Sequence, residues 1–236
     1  MIEFNERRRV VTMGLALGAA VLSGSAASAE KSKQEREVLA NEDLMREHGL
    51  LRRILLIYTV AAGRLRSGKD KIPANALGRA AGVFRTFGGD YHERMLEEKY
   101  VFPTVSRSKG AASELPRVLE LQHQRGRAIN EYVTSVTQSG NIGAADVLPL
   151  ADVLNGFVLM YRRHAVMEDT VVFPAWRDAL PEQQYRELSE RFEKLEHQTF
   201  GQDGFEEMLK RVAAVETEFG IADLKVFTPP PPPKHS

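Results

Sequence analysis

From Leu44 to Leu65 apolar residues recur at intervals of three and four, which lays one apolar stripe along a helix. The polar run SGKDK (67–71) ends that stretch, and Pro73 stands where a second helix begins. The second helix is expected to reach about Ser108, with a bend where Pro103 interrupts it. SKGAAS (108–113) reads as a turn, Ser113 as an N-cap, and Pro116 as part of the first turn of a third helix. QSGNIGAAD (138–146) breaks the chain again, and a fourth helix is expected from about Val147 through the Val-Phe-Pro at 172–174. β-Branched residues are scattered, and no Asn-Gly or Asp-Gly turn joins alternating runs, so no strand is expected. The pattern predicts an all-α protein: four long helices with short turns, folded up-down-up-down as an antiparallel four-helix bundle over residues 41–178.

Beyond the bundle the periodicity continues. PEQQYRELSERFEKLEHQTF and DGFEEMLKRVAAVETEFG predict additional C-terminal helices over 181–220, with Asp203 capping the second and Gly220 stopping it. Each carries a single apolar stripe, so both are expected to pack on the bundle. Residues 228–236 form a proline-rich tail, extended by its composition.

The first twenty-nine residues follow a different logic. Arg7, Arg8 and Arg9 make a basic start, Val10 to Leu22 is apolar, and Ala27-Ser28-Ala29 has the form of a cleavage site. This predicts a signal peptide over residues 1–29, and its arginine pair resembles a twin-arginine signal, a route that exports folded proteins. The expected location is periplasmic or secreted. The apolar run is too short to span a membrane, and no membrane association is expected once the signal is removed.

Composition narrows the chemistry. Of 236 residues, 43% are apolar, and 32 Lys and Arg balance 32 Asp and Glu, so charge gives no reason to expect nucleic acid as a partner. With no cysteine, thiolate zinc sites, iron–sulfur clusters and cysteine nucleophiles are excluded.

The chain repeats one phrase. Residues 91–103 read YHERMLEEKYVFP and residues 163–174 read RHAVMEDTVVFP: a histidine, an acidic doublet, and Val-Phe-Pro. Four histidines fall one to each predicted bundle helix. His48 precedes Gly68 by 20 residues and His92 follows Pro73 by 19; His123 precedes Ser139 by 16 and His164 follows Val147 by 17. Equal counts from a shared turn mean equal depth in antiparallel neighbours. His164 and Glu168 are four apart and share a helix face. In the first copy Glu97 stands five after His92, and a π-bulge between them would bring both to one face. Imidazoles suit iron, zinc or copper, and carboxylates can bridge two cations. Four histidines and two acids exceed what one ion usually takes, and favour two metals. Glu47, Glu193 and Glu196 read as solvated charges, and Tyr58 and Tyr161 as core.

These residues resemble the hemerythrin family, in particular its HHE cation-binding domains, over roughly Asn41 to Arg177. The resemblance implies a metal site made of His48, His92, Glu97, His123, His164 and Glu168, holding two non-haem iron ions with an oxo or hydroxo bridge. Glu97 and Glu168 would bridge and the histidines would be terminal ligands. Where the oxygen carriers have a second histidine on helix 3 stands Arg127, which implies a more open site; His197 is a candidate for the missing ligand. The implied business is binding or sensing O2 or NO, or protection against oxidative or nitrosative stress. A di-iron enzyme reducing peroxide or nitric oxide, or an iron store or sensor, are the alternatives.

Overall fold

A computed structural model describes residues 38–202 and 204–233. Among them the secondary structure is entirely helical. Helix α1 (Ala40–Ser67) is the first rod of the bundle and stops at Gly68, whose φ of 62° is left-handed. The second rod runs without a break through α2 (Ala74–Val83), a π-helical stretch (Phe84–Val101) and α3 (Phe102–Ser106). Helix α4 (Pro116–Thr137) is the third rod. The fourth is α5 (Val147–Met167), a short π-helical segment (Glu168–Val172) and α6 (Phe173–Asp178). They run up-down-up-down, as the pattern predicts, and the two expected C-terminal helices follow as α7 (Glu182–Phe200) and α8 (Gly204–Glu218).

One cap differs from expectation. Ser113 lies in a short 3-10 turn (Ala111–Glu114) and its hydroxyl donates to the Gly110 carbonyl, so α4 starts at Pro116 without a side-chain cap. Pro116 itself supplies the fixed φ that a first turn needs. Asp203, the expected cap of α8, lies outside the described residues, as do the basic start, the apolar run and the cleavage site near the N-terminus. Gly220 fits its role: its φ is 65°, and the Ile221 N–H closes the helix end by donating to the Glu216 carbonyl.

The last turn of each π-helical stretch has a local cause. The Phe102 N–H donates to the Glu97 carbonyl and the Phe173 N–H to the Glu168 carbonyl, a spacing of five in both repeats. Each phenylalanine precedes a proline, which has no N–H and whose ring collides with the carbonyl four residues back in a regular α-helix. Widening the helix by one residue relieves that collision. The expected bulge between His92 and Glu97 is thus part of a longer feature, and the second copy has its own.

Aromatic packing fixes the rods. Beneath the histidines Phe84 meets Phe157 and Tyr161 edge-to-face, and Phe157 lies tilted on Tyr161, with centroids 4.9–5.6 Å apart. Tyr58, fully buried, donates to Asn130 Oδ1. The added helices lie on the bundle: Trp176 stacks on Phe192 of α7 with centroids 5.7 Å apart, Phe200 packs on Tyr91, and Arg53 of α1 grips Glu216 of α8 with two hydrogen bonds. No helix among the described residues is long and apolar enough to cross a membrane.

Candidate metal centre

Each of the four bundle rods contributes one fully buried histidine at the same level. The His48 and His92 rings lie 4.7 Å apart, and those of His123 and His164 lie 4.8 Å apart. Glu97 and Glu168, with no exposed surface, lie between them. Glu97 Oε1 is 3.3 Å from His92 Nε2 and its Oε2 is 3.3 Å from His123 Nε2. Glu168 Oε2 is 2.9 Å from His164 Nε2 and 3.4 Å from His48 Nε2, while its Oε1 is 3.7 Å from His123 Nε2. All four Nε2 atoms therefore face the same two carboxylates. Two ligand-sized groups result, Glu97–His123–His164–Glu168 and His48–His92–Glu97, and Glu97 belongs to both.

Every outer ring nitrogen is held. His48 Nδ1 donates to Asp169 Oδ1 at 2.7 Å, His92 Nδ1 to Glu47 Oε2 at 2.6 Å, His123 Nδ1 to Glu98 Oε1 at 3.0 Å and His164 Nδ1 to Gln122 Oε1 at 2.9 Å. With a metal bound, such bonds would fix the tautomer with the proton on Nδ1 and leave the Nε2 lone pair for the cation.

The repeated phrase now has a structural meaning. In each copy the first acid of the doublet, Glu97 or Glu168, enters the centre. The second, Glu98 or Asp169, turns to the Nδ1 of a histidine on a neighbouring rod, His123 or His48. The phenylalanine of Val-Phe-Pro stacks on that same histidine: Phe102 on His123 with centroids 5.2 Å apart, and Phe173 on His48 at 5.5 Å. One heptapeptide thus supplies a central carboxylate and clamps a partner rod's ring by charge and by stacking.

The electrostatics of the protein alone are those of a cation-binding site. Burial works against a charge on His92, yet the Glu97 and Glu47 carboxylates outweigh it and hold the ring well above its ordinary 6.5. Burial likewise opposes charge on His123 and His48, and the carboxylates around each raise them too. Burial and the neighbouring Glu168 work against ionisation of Glu97, but the surrounding imidazoles win and lower it. Glu168 is held well below its ordinary range by His164, His123 and His48 against the effect of burial. Even so, hydrogen bonding is incomplete. Both oxygens of Glu97, both of Glu168, and the Nε2 atoms of His48 and His92 are buried without a hydrogen-bond partner. Unsatisfied buried acceptors aimed at one point are costly unless a cation satisfies them. The donor set, buried imidazoles and carboxylates facing one another, therefore fits divalent metal cations.

Several residues at the site are not in the predicted set. Glu47 is completely buried on His92, where a solvated charge was expected. Its position in α1 announced this, since 47 continues the buried stripe of Leu44, Leu51, Ile54 and Tyr58. Glu196 is 1% exposed and is also no surface charge. Glu98 and Asp169 were visible as the second letters of the doublets, but nothing in the spacing revealed what they hold. Arg127 is buried and donates to Glu98 Oε1 at 2.8 Å and to Glu93 Oε2 at 3.1 Å, so the position opposite the centre is filled by an ion-pair network. Gly89 makes room for it: a Cβ there would lie 2.9 Å from Arg127 Cγ. Burial raises the Glu93 carboxyl above its usual range, and burial with the nearby Glu93, Glu168 and Glu97 charges raises the Tyr161 hydroxyl. Tyr161 stacks on His164 with centroids 4.9 Å apart. His197 is partly exposed on α7 and belongs to none of the ligand-sized groups among the described residues.

Comparison with known proteins agrees with this geometry. The hemerythrin HHE cation-binding domain matches residues 39–176. An uncharacterized protein of Mycobacterium bovis and uncharacterized proteins of two Mycobacterium tuberculosis strains are each 43% identical over 201 residues, covering 84% of this chain and 76% of theirs. No solved structure gives a significant match. With the match extending over all four bundle rods, this chain belongs to the hemerythrin HHE cation-binding domain family.

Proposed function

We propose that this protein is an exported binder of two non-haem iron ions that binds or senses O2 or NO, or protects against oxidative or nitrosative stress. One ion would be held by His48, His92 and Glu97, the other by His123, His164, Glu97 and Glu168. The observation that carries this is the set of partnerless inward atoms on Glu97, Glu168, His48 and His92, set against outer nitrogens that are all held. Iron, when bound, would supply a reversible one-electron couple and an affinity for a diatomic ligand. The chain supplies the rest. Asp169, Glu47, Glu98 and Gln122 orient the rings, Phe102 and Phe173 cover His123 and His48, and the aromatic layer of Phe84, Phe157 and Tyr161 excludes water from below. Export rests on the basic start, apolar run and Ala-Ser-Ala of the first twenty-nine residues.

A second reading is a di-iron enzyme that reduces peroxide or nitric oxide. Glu93 favours it: burial holds this carboxyl protonated to higher pH than usual at the edge of the centre, and such reductions consume protons. Arg127 pairs one of its oxygens and leaves Oε1 without a partner.

Iron-loaded protein tests both. A visible spectrum that changes on O2 or NO addition and reverts under vacuum supports binding or sensing. Catalytic loss of peroxide that falls in Glu93→Gln supports the enzyme. Iron that exchanges freely with a chelator, with neither response, supports storage instead.

A further inference from the structure

Away from the centre three more carboxylates are buried together. Asp43 and Glu47 lie about one turn apart on α1 and Glu196 comes from α7; their exposures are 6%, 0% and 1%. One ligand atom from each lies within 4.8 Å of the others. Closeness alone makes no site, but Glu47 adds a separate observation. Its Oε2 accepts from His92 Nδ1, while its Oε1 is buried with no hydrogen-bond partner among the described residues. Arg46 Nη1 is 3.6 Å from Asp43 Oδ1 at the rim and shares its guanidinium with Glu206, and the Phe205 N–H donates to Glu196 Oε1.

The surroundings keep Glu196 in place. Gly204 lets the start of α8 approach, since a Cβ there would lie 3.1 Å from Glu196 Oε1 and 2.7 Å from the Phe200 Cβ. The acid therefore caps α8 with one oxygen, as a carboxylate at a helix N-terminus does. An oxygen-only set of three carboxylates selects hard divalent cations such as Mn2+, Mg2+ or Ca2+, unlike the imidazole-rich centre.

We propose that Asp43, Glu47 and Glu196 form a separate site for one hard divalent cation at the seam between α1 and α7. The outer site touches the centre through Glu47, whose two oxygens serve His92 and the outer ion. An ion there draws charge from the carboxylate that orients His92. The site stands on its own residues and does not require iron at the centre.

The test uses the full chain with its centre already metal-loaded. Mn2+ is titrated in and bound ion counted by electron paramagnetic resonance and elemental analysis of the same sample. Wild type should take up one Mn2+ beyond the central complement. Glu196→Gln, which keeps an oxygen for the Phe205 N–H, and Asp43→Asn should each bind that ion at least ten-fold more weakly, with the central metal count and the helical circular dichroism unchanged. No additional Mn2+ on wild type, or uptake that both variants retain, overturns the proposal. Because central metal is counted separately, loss of that Mn2+ in the variants upholds the outer site whichever metal, and however many ions, the centre holds.

Discussion

Replacing Glu97 by glutamine should cost the centre a metal ion, whereas replacing its neighbour Glu98 should only loosen one. Glu97 is shared by both ligand groups, and its two oxygens point at His92 and His123. Its loss leaves the His48–His92 side with two protein ligands and the other side with three. Imidazole–carboxylate sites need about three protein ligands to hold a metal. The count should therefore fall from two ions per chain to one or fewer. Glu98 touches only the far nitrogen of His123, at 3.0 Å, and Arg127. A glutamine keeps an oxygen for His123 but not the charge. Such outer-partner changes cost about 10–100-fold in affinity, or about 1.4–2.7 kcal/mol, with stoichiometry kept. Equilibrium dialysis against a metal buffer, followed by elemental analysis, gives both count and dissociation constant. Equal counts in the wild type and Glu97→Gln, or loss of metal in Glu98→Gln alone, would refute the division of labour within the doublet.

The metal-free protein should have an optimum on the acid side of neutrality. Stability from the raised His92, His123 and His48 is complete below their ordinary 6.5 and is lost as pH rises through the higher folded values. Stability from the lowered Glu97 and Glu168 is present above their ordinary 4.5 and is lost as pH falls. Thermal melting should thus peak between these limits and decline towards pH 9, while metal-loaded protein, which uses neutral imidazoles, holds its midpoint; a metal-free midpoint that rises from pH 6.5 to 9 contradicts this. Metal loading near pH 7 should also release protons, detectable as a heat that varies with the buffer's ionisation enthalpy. Arg127→Met leaves Glu93 buried without its ion partner and should destabilise by about 3 kcal/mol, the low end for such pairs because Glu93 can take up a proton; urea unfolding with a loss below about 1 kcal/mol would count against the network. His197→Ala should leave the metal count unchanged, and a lost ion would place α7 in the centre after all.

The helical class and the bundle were legible because the apolar spacing from Leu44 to Leu65 and its counterparts leave no other periodicity. Counting from turns also brought the two histidines of each hairpin to one level, since rise per residue is nearly constant in a helix; the bend at Pro103 kept the two hairpins from being matched that way. Counting failed where the helix widens. Through Phe84–Val101 a period of 3.6 no longer tells which residues face inward, which hid Glu93 beside His92. Charge misled in a second way. Glu47 and Glu196 look solvated in the sequence, but their partners, His92 and the start of α8, come from other helices. Arg127 was seen as a missing histidine, while the acids it pairs with lie 29 and 34 positions earlier, beyond any local pattern.

The central claim is that six side chains, His48, His92, Glu97, His123, His164 and Glu168, hold two iron ions. Elemental analysis of the purified protein after anaerobic loading with ferrous iron and desalting tests it most directly. The account predicts two irons per chain in wild type and fewer in both His164→Ala and Glu168→Ala. No retained iron, a single zinc in its place, or two irons undiminished in both variants would contradict it.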